Sequence, residues 1–238
     1  MILSIIIPAL NEEKYLSRLL DSIKNQDFKD YEIIVADAGS TDRTKEIAKN
    51  YGAKVVKGGM PAAGRNAGAK AARGKILLIL DADVILPKGS LKKAIIEFQD
   101  RKLDIASIPL DPITNKKLVK LLFNCFYNIP ITILERIVPY GAMGILAKNS
   151  IYKAIKGYDE KLMLCEDHDF VRRAAKKGKF RVLTSINISV SVRRFNQDGW
   201  LKIIATYAIA ELYNDFIGPI KSDIFKYKFG HYSKKIKE

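Results

Sequence analysis

The segment ILSIIIPALNEE, residues 2–13, decides the fold class because a buried strand leads directly into an acidic helix start. Its first part, Ile2 to Ile7, is a run of β-branched residues and leucine, which is typical of a strand covered on both faces. Asn11, Glu12 and Glu13 follow, and acidic groups in a first helical turn interact favourably with the helix dipole. The segment therefore predicts a strand–helix unit of a parallel sheet.

The same alternation continues through the first 110 residues. Strands are predicted at 31–36, 53–56 and 76–80, with helices between them, the last of these in the Ala/Gly-rich stretch 62–72. Ser40 or Thr41 is the expected cap of the second helix, and Gly52 its end. This order predicts an α/β fold, a single domain with a mostly parallel central sheet flanked by helices.

Ligands of such sheets bind beyond the carboxyl ends of the strands. The polar side chains that follow the first, second and fourth strands are therefore candidates for a binding site. They are Asn11, Asp37, Asp81 and Asp83.

The second half of the chain is less regular. Residues 116–138 are strongly apolar but carry a polar side chain at every fourth position, which predicts a helix with a narrow polar stripe and a kink near Pro130. The stripe consists of Lys120, Asn124, Asn128, Thr132 and Arg136. Strands are expected at 141–147, 180–183 and 186–192, one helix after Glu166 and another at 200–216.

Composition limits the partners. The 41 Lys and Arg residues against 26 Asp and Glu give a net charge of +15, which favours phosphates, acidic lipids or nucleic acid as partners.

Cys125 and Cys165 form no disulfide framework, and the N-terminus lacks a basic leader segment. No apolar run reaches the roughly 18 residues of a membrane span. We therefore expect a cytoplasmic location, and peripheral attachment to the cytoplasmic membrane face stays open.

Two acidic motifs carry possible chemistry. Asp81-Ala82-Asp83 ends a strand, and two carboxylates one residue apart suit Mg²⁺ or Mn²⁺ shared with a diphosphate, although a solvated turn has the same sequence. Glu166-Asp167 could supply a general base, although acidic residues also start helices well.

Two further motifs are equally open when each is taken alone. Asp37 could accept hydrogen bonds from a nucleoside, or it could close an Asx turn. Arg65, within Gly64-Arg65-Asn66-Ala67-Gly68, could meet a phosphate, or it could be a surface side chain on a tightly packed helix.

Taken together and in this order, the segments IIIPALNEE (5–13), DAGSTDRT (37–44), GRNAG (64–68), LDAD (80–83) and ED (166–167) resemble family 2 of the inverting glycosyltransferases. The resemblance covers roughly residues 1–195, and SVRRF (191–195) resembles a segment of some members. It implies the GT-A fold and sugar transfer from a nucleotide diphosphate. Many members carry a second Asp at the position of Ala38, which leaves the nucleoside base undefined. No Gln-x-x-Arg-Trp motif of processive synthases is present.

The resemblance also implies residue roles. Asp167 would be the catalytic base with Glu166 beside it, and Asp83, assisted by Asp81, would hold a divalent metal, Mg²⁺ or Mn²⁺. Arg193 and Arg194 would bind the diphosphate or a charged acceptor. The other positions expected to contact the nucleotide-sugar, two of which also serve the metal, are Pro8, Ala9, Asn11, Glu12, Asp37, Arg65, Asp81, Ala82 and Asp83.

The resemblance suggests how the chain is divided. We expect one glycosyltransferase domain at residues 1–195, followed by a C-terminal helix and a basic, aromatic tail at 196–238. Within the domain, residues 1–110 form the expected nucleotide-binding half and 111–195 the acceptor half. No internal repeat and no linker divides the chain.

Two alternatives remain at this level. A sugar nucleotidyltransferase would share the sheet and metal, but it usually has a glycine-rich loop where this chain has Pro8-Ala9-Leu10-Asn11. A non-catalytic module that binds nucleic acid or membrane would suit the charge. Nucleic acid is not favoured, because the aromatic residues are concentrated in the tail rather than interleaved with basic residues.

The expected acceptor is a carbohydrate or a lipid-linked molecule. Lysines and aromatic residues mix in the tail and suit an anionic membrane surface, and the apolar helix 116–138 could instead pack against the core or a second copy of the chain. The tail residues are Lys221, Phe225, Lys226, Tyr227, Lys228, Phe229, Tyr232, Lys234, Lys235 and Lys237.

Overall fold

The computed structural model describes the backbone of residues 1–141 and 143–221 and, within 194–216, only part of the side chains. The tail from residue 222 onward, the side chain of Arg194 and Ala142 lie outside this description, and so do the expectations that concern them. The helices are α1 (Glu13–Lys24), α2 (Thr44–Asn50), α3 (Pro61–Ala71), α4 (Ser90–Asp100), α5 (Lys117–Phe123), α6 (Ile129–Ile133), α7 (Asn149–Ala154), α8 (Glu166–Ala175), α9 (Arg193–Asp198) and α10 (Trp200–Phe216).

Two sheets are present in the described part of the chain. The strands are β1 (Leu3–Ala9), β2 (Tyr31–Asp37), β3 (Lys54–Lys57), β4 (Ile76–Leu80), β5 (Val84–Ile85), β6 (Ile105–Ser107), β7 (Leu110–Pro112), β8 (Gly144–Lys148), β9 (Phe180–Val182) and β10 (Ile188–Val190). The central sheet has the order β3-β2-β1-β4-β8-β6-β9, and a small second sheet has the order β5-β10-β7.

The central sheet is mostly parallel, as predicted. β1 pairs in parallel with both β2 and β4, and β6 pairs in parallel with β9. Only β8 runs against its neighbours β4 and β6 within this sheet of the described chain. The ends of β1, β2 and β4 therefore meet at one edge.

Two apolar layers cover the central sheet. Because successive strand residues face opposite sides, Ile5 and Ile7 pack on the side of α1 and α4, whereas Ile6 packs on the side of α3 and α8. A Cβ atom at Gly68 would overlap Cγ2 of Ile6. The small residues of α3 thus allow a helix to approach β1 closely, which places Arg65 of the same helix beside the strand ends.

The predicted cap of the second helix was wrong. α2 begins at Thr44, and neither Ser40 nor Thr41 caps it. Instead Ser40 Oγ accepts a hydrogen bond from the backbone of Asn11 at 2.9 Å, and Asn11 Oδ1 accepts one from the backbone of Thr41 at 2.9 Å. These side chains join the loops that follow β1 and β2, because the two loops lie side by side at the sheet edge.

The predicted helix 116–138 is helical only over 117–133. A π-helical turn, Asn124–Asn128, separates α5 from α6. No helix of residues 1–141 and 143–221 is both long enough and apolar enough to cross a bilayer.

Candidate active site

A buried arginine is the centre of the acidic cluster. Arg65 on α3 donates to Glu166 Oε1 at 2.7 Å, to Asp167 Oδ2 at 3.0 Å and to Asp81 Oδ1 at 3.1 Å. Its side chain is only 4% exposed, and its guanidinium lies 5.4 Å from the ring centre of Tyr158. The structure therefore brings together four predicted residues that are separated by up to 102 positions in the sequence.

Backbone geometry presents the two acidic residues of α8. Cys165, immediately before the helix, has a φ of 61°, a left-handed conformation that non-glycine residues rarely adopt. A Cβ atom at Gly141 would overlap the carbonyl oxygen of Asp167, so only glycine fits beside this turn. The chain thus turns sharply at Cys165 and directs the start of α8 at Arg65.

The environment makes Asp167 a better base than its neighbour His168. Burial raises the pKa of Asp167, with Glu166 and Asp81 adding to the rise and Arg65 opposing it. Burial lowers the pKa of His168 to about 3. A carboxylate with a raised pKa is a stronger base than an ordinary aspartate, whereas the imidazole of His168 is a weak base.

A second cluster forms around Asp83. Nε of Arg193 lies 3.1 Å from Asp83 Oδ2, and its two terminal nitrogens donate to Glu12 at 2.7 and 3.0 Å. The guanidinium also lies 4.2 Å from the ring centre of Tyr15. Burial raises the pKa of Glu12 against the opposing effect of Arg193, and Asp83 and Asp81 raise it further. Glu12, Asp81 and Asp83 thus concentrate negative charge at the sheet edge.

An open cleft of about 180 Å³ adjoins this second cluster. Asp83, Ser191 and Arg193 contribute its polar groups, and Tyr15 and Ile113 are among its apolar ones. A charged cleft with an aromatic wall is a suitable place for a diphosphate and the group that it carries.

The remaining predicted positions lie at the same edge but are engaged in local structure. Asp37 is buried, and its carboxylate accepts hydrogen bonds from the backbone of Gly39 at 3.0 Å and Ser40 at 3.1 Å, so it closes the turn after β2. Pro8 and Ala9 belong to the end of β1, and Ala82 is buried between the two aspartates. Their contact with a nucleotide stays a prediction.

The sequence did not single out two aromatic residues of the site. Tyr158 packs face to face on Phe170 with ring centres 4.1 Å apart, and it borders Arg65 on the other side. Tyr15 lies under Arg193. Neither position carries a motif, because a tyrosine on a helix or loop is ordinary until its neighbours are known.

Asp81 and Asp83 offer carboxylate oxygens, the donor type that Mg²⁺ and Mn²⁺ prefer, and Asp83 lies in the wall of the cleft. Each carboxylate of this cluster already has an arginine partner, Arg193 for Glu12 and Asp83 and Arg65 for Asp81. A divalent metal would therefore share these carboxylates with the two arginines.

A mostly parallel sheet with paired acidic residues at its carboxyl edge is the arrangement expected of a nucleotide-sugar enzyme. The model of "Glycosyl transferase family 2" matches residues 4–154. The chain belongs to glycosyl transferase family 2 and has the GT-A fold.

Three comparisons illustrate the match. The chain is 29% identical over 189 residues to the poly(ribitol-phosphate) β-N-acetylglucosaminyltransferase TarS of Staphylococcus aureus, covering 72% of this chain and 32% of TarS, so it spans about a third of that protein. The structure of TarS residues 1–349 with UDP-GlcNAc has a TM-score of 0.68 at 25% identity, covering 80% of this chain and 58% of that one. A GalNAc(5)-diNAcBac-PP-undecaprenol β-1,3-glucosyltransferase of Campylobacter jejuni is 37% identical over 99 residues, covering 37% of this chain and 32% of that protein.

A solved structure with lower identity matches the fold. It is the mannosyltransferase PcManGT of Pyrobaculum calidifontis in complex with GDP-Man and Mn²⁺, with a TM-score of 0.73 at 19% identity. The match covers 94% of this chain and 66% of that one.

Proposed function

We propose that this chain is an inverting, metal-dependent hexosyltransferase that moves a sugar from a UDP-sugar to an acceptor hydroxyl or lipid phosphate. One observation carries the proposal: Asp167, buried and bound to Arg65, lies at the edge of the sheet where Asp81 and Asp83 follow β4. The shared contact of Arg65 with Asp167 and Asp81 supports a base and a diphosphate-binding group within one site. In domain terms, residues 1–110 bind the donor and 111–195 the acceptor.

The donor preference for uridine is supported by the TarS match, because TarS was solved with UDP-GlcNAc at 25% identity to this chain. The complex of PcManGT with GDP-Man shares the fold alone, so GDP-sugars are the second candidate. We propose that Asp37 and Asn11 border the nucleoside through the loops that they stabilise.

Asp167 is the proposed base. In the transfer, its carboxylate takes the acceptor proton while the acceptor oxygen forms a bond to the anomeric carbon and the bond to the diphosphate breaks. Such a single displacement inverts the anomeric centre. Arg65 is enclosed by carboxylates and 4% exposed, so we assign it the positioning of Asp167 rather than contact with donor phosphates.

Arg193 is the proposed diphosphate residue. Its guanidinium lies at the wall of the cleft and already neutralises Asp83 and Glu12. Bound by Asp83 and Asp81, a divalent cation supplies the positive charge that stabilises a leaving diphosphate. Arg193 would also bind the phosphate oxygens, since guanidinium groups bind phosphates in two-point geometry.

The acceptor class is less constrained by the site than the donor class. TarS is named for a polymer acceptor and the Campylobacter enzyme for an undecaprenol-diphosphate-linked one. We propose a lipid-linked acceptor for this chain.

Thermal unfolding with nucleotides tests the donor site. UDP, GDP, dTDP and CDP are each added with and without Mn²⁺ to the natural chain and to Asp83→Ala. A ligand that binds the folded state stabilises it by RT ln(1 + [L]/Kd), which is about 2.7 kcal/mol when the ligand is at a hundredfold excess over Kd. UDP with Mn²⁺ should therefore raise the free energy of unfolding by this amount and raise Tm with it. Asp83→Ala should abolish the Mn²⁺-dependent part of this effect.

Asp111→Ala is the matched control, since Asp111 is an aspartate on β7 that pairs with Lys120 rather than with an arginine of the acidic cluster. It should respond to UDP and Mn²⁺ as the natural chain does. If no nucleotide stabilises the natural chain with or without Mn²⁺, the proposed donor site is wrong.

A further inference from the structure

The outer face of residues 117–137 is apolar and open to solvent. Phe126 is 79% exposed, Ile137 78% and Ile133 73%. Five further apolar side chains of this segment are also exposed. They are Leu118, Leu121, Leu122, Ile129 and Leu134. Exposed apolar surface of this extent on one segment is typical of an interaction surface.

Two polar residues of this segment, Asn128 and Glu135, point to the protein. Asn128 donates to the carbonyl of Leu110 at 2.8 Å and accepts from the amide of the same residue at 3.0 Å. Glu135 lies 3.2 Å from Arg181 and accepts from the backbone of Val182 at 2.7 Å. These contacts fix the orientation of the segment, so the apolar side chains cannot turn inward without breaking them.

The charges around this face are positive. Lys116, Lys117 and Arg136 are exposed along or next to it, and Lys120, also exposed, pairs with Asp111 at 3.4 Å. Glu135 is the one acidic residue of 113–140 in the sequence, and it faces Arg181. An exposed apolar face bordered by basic side chains complements a lipid surface that carries anionic headgroups.

The inner side of this segment, opposite the exposed face, packs toward the active site. Phe123 of α5 contacts Phe195 of α9 at 6.3 Å between ring centres. Tyr127 contacts Tyr140 at 5.9 Å, and Tyr140 lies 3.9 Å from the ring of His168, the neighbour of Asp167. The segment therefore lies between its exposed face and the residues beside the proposed base.

We propose that the outer face of residues 117–137 docks on an anionic membrane surface. The apolar side chains enter the boundary between headgroups and acyl chains, and the lysines meet the lipid phosphates. The docking itself is independent of the sugar-transfer chemistry. Its use, delivery of a membrane-borne acceptor to Asp167, rests on the proposed function.

Vesicle flotation tests the docking. The protein is mixed with vesicles of phosphatidylglycerol and phosphatidylcholine in equal parts, and with vesicles of phosphatidylcholine alone. We expect flotation with the anionic vesicles and its loss at high salt, because salt screens the attraction. The triple variant Phe126→Ser, Ile133→Ser, Ile137→Ser should bind at least about 10-fold more weakly, since each change removes exposed apolar surface that would be buried in lipid.

Matched controls distinguish binding through this face from nonspecific adsorption to vesicles. Ile96→Ser changes an apolar residue that is 48% exposed on α4 and should float as the natural chain does. Lys116→Gln with Lys117→Gln should weaken flotation, whereas Lys92→Gln with Lys93→Gln, an equal charge change on α4, should have a smaller effect. Circular dichroism should show that the triple variant remains folded, because the three side chains are mostly exposed.

Two results would overturn the proposal. One is a chain that stays at the bottom of the gradient with anionic vesicles. The other is a natural chain that sediments as a dimer and a triple variant that sediments as a monomer, with neither form binding vesicles. That result would make this face a subunit interface. Neither result bears on the donor site, because nucleotide stabilisation is measured without vesicles.

Discussion

Removal of the Arg65 guanidinium should have a large and pH-dependent effect on stability. In Arg65→Met, the carboxylates of Asp81, Glu166 and Asp167 would lose a common partner that now lies 2.7 to 3.1 Å away. Breaking a buried ion pair by removing one partner typically costs about 3–5 kcal/mol, because the remaining charge stays buried without compensation. We therefore expect the free energy of unfolding to fall by about 3–5 kcal/mol at pH 7.

The pH dependence follows from Asp167. Burial already raises its pKa in the folded state and Arg65 opposes this rise, so in Arg65→Met the pKa rises further. The variant is therefore most stable below the unfolded pKa and loses stability, relative to the natural chain, as pH increases. The difference between Arg65→Met and the natural chain should thus shrink as pH falls from 7 toward about 4. Urea denaturation followed by circular dichroism measures both quantities.

Arg73→Met is the control. Arg73 pairs with Glu32 at 3.1 Å, but its side chain is 73% exposed, and exposed pairs contribute about 0–1 kcal/mol. Adding Asp167→Asn to Arg65→Met should restore part of the loss, since one of the unpaired charges is removed. If the losses in Arg65→Met and Arg73→Met are equal, or if the difference does not change with pH, the electrostatic account of this cluster is wrong.

Three other changes give separate tests. Asp167→Asn should abolish sugar transfer in a UDP-release assay while Mn²⁺-dependent stabilisation by UDP persists, because the amide cannot take the acceptor proton; substantial residual transfer would remove Asp167 as the base. Asn128→Ala should lower the free energy of unfolding by about 2 kcal/mol in urea titration, since both backbone groups of Leu110 lose their side-chain partner. Burial raises the pKa of Glu97, but hydrogen bonds from Ser185, Thr184 and Arg101 outweigh it and lower the pKa to about 2. The carboxylate should therefore stabilise the fold above pH 4.5 and lose this effect as pH falls toward 2. Because solvent screens part of the interaction, Glu97→Gln should cost about 1–2 kcal/mol at pH 7, and unchanged urea midpoints would contradict this account.

The first half of the fold was predictable because its signals are local. Buried parallel strands are continuous apolar runs, and each is followed within a few residues by its helix, so β1, β2, β3 and β4 were placed within one or two residues. The two-residue strand β5 and the three-residue strands β6 and β7 were not predicted, because they have too few residues to show a period and are defined by pairing with distant strands. β9 and β10 are as short, but they lie within the predicted strands 180–183 and 186–192.

The sequence by itself determined the α/β class, the family resemblance and the set of acidic residues at the strand ends, because each depends on residues close together in the chain. Only the tertiary structure decided that Arg65, a candidate phosphate contact, is enclosed by Asp81, Glu166 and Asp167. It also decided that the polar stripe of 116–138 faces inward at Asn128. The physical reason is the same in both cases: the direction of a side chain depends on partners far away in the sequence, and helical periodicity alone does not show which face meets the core.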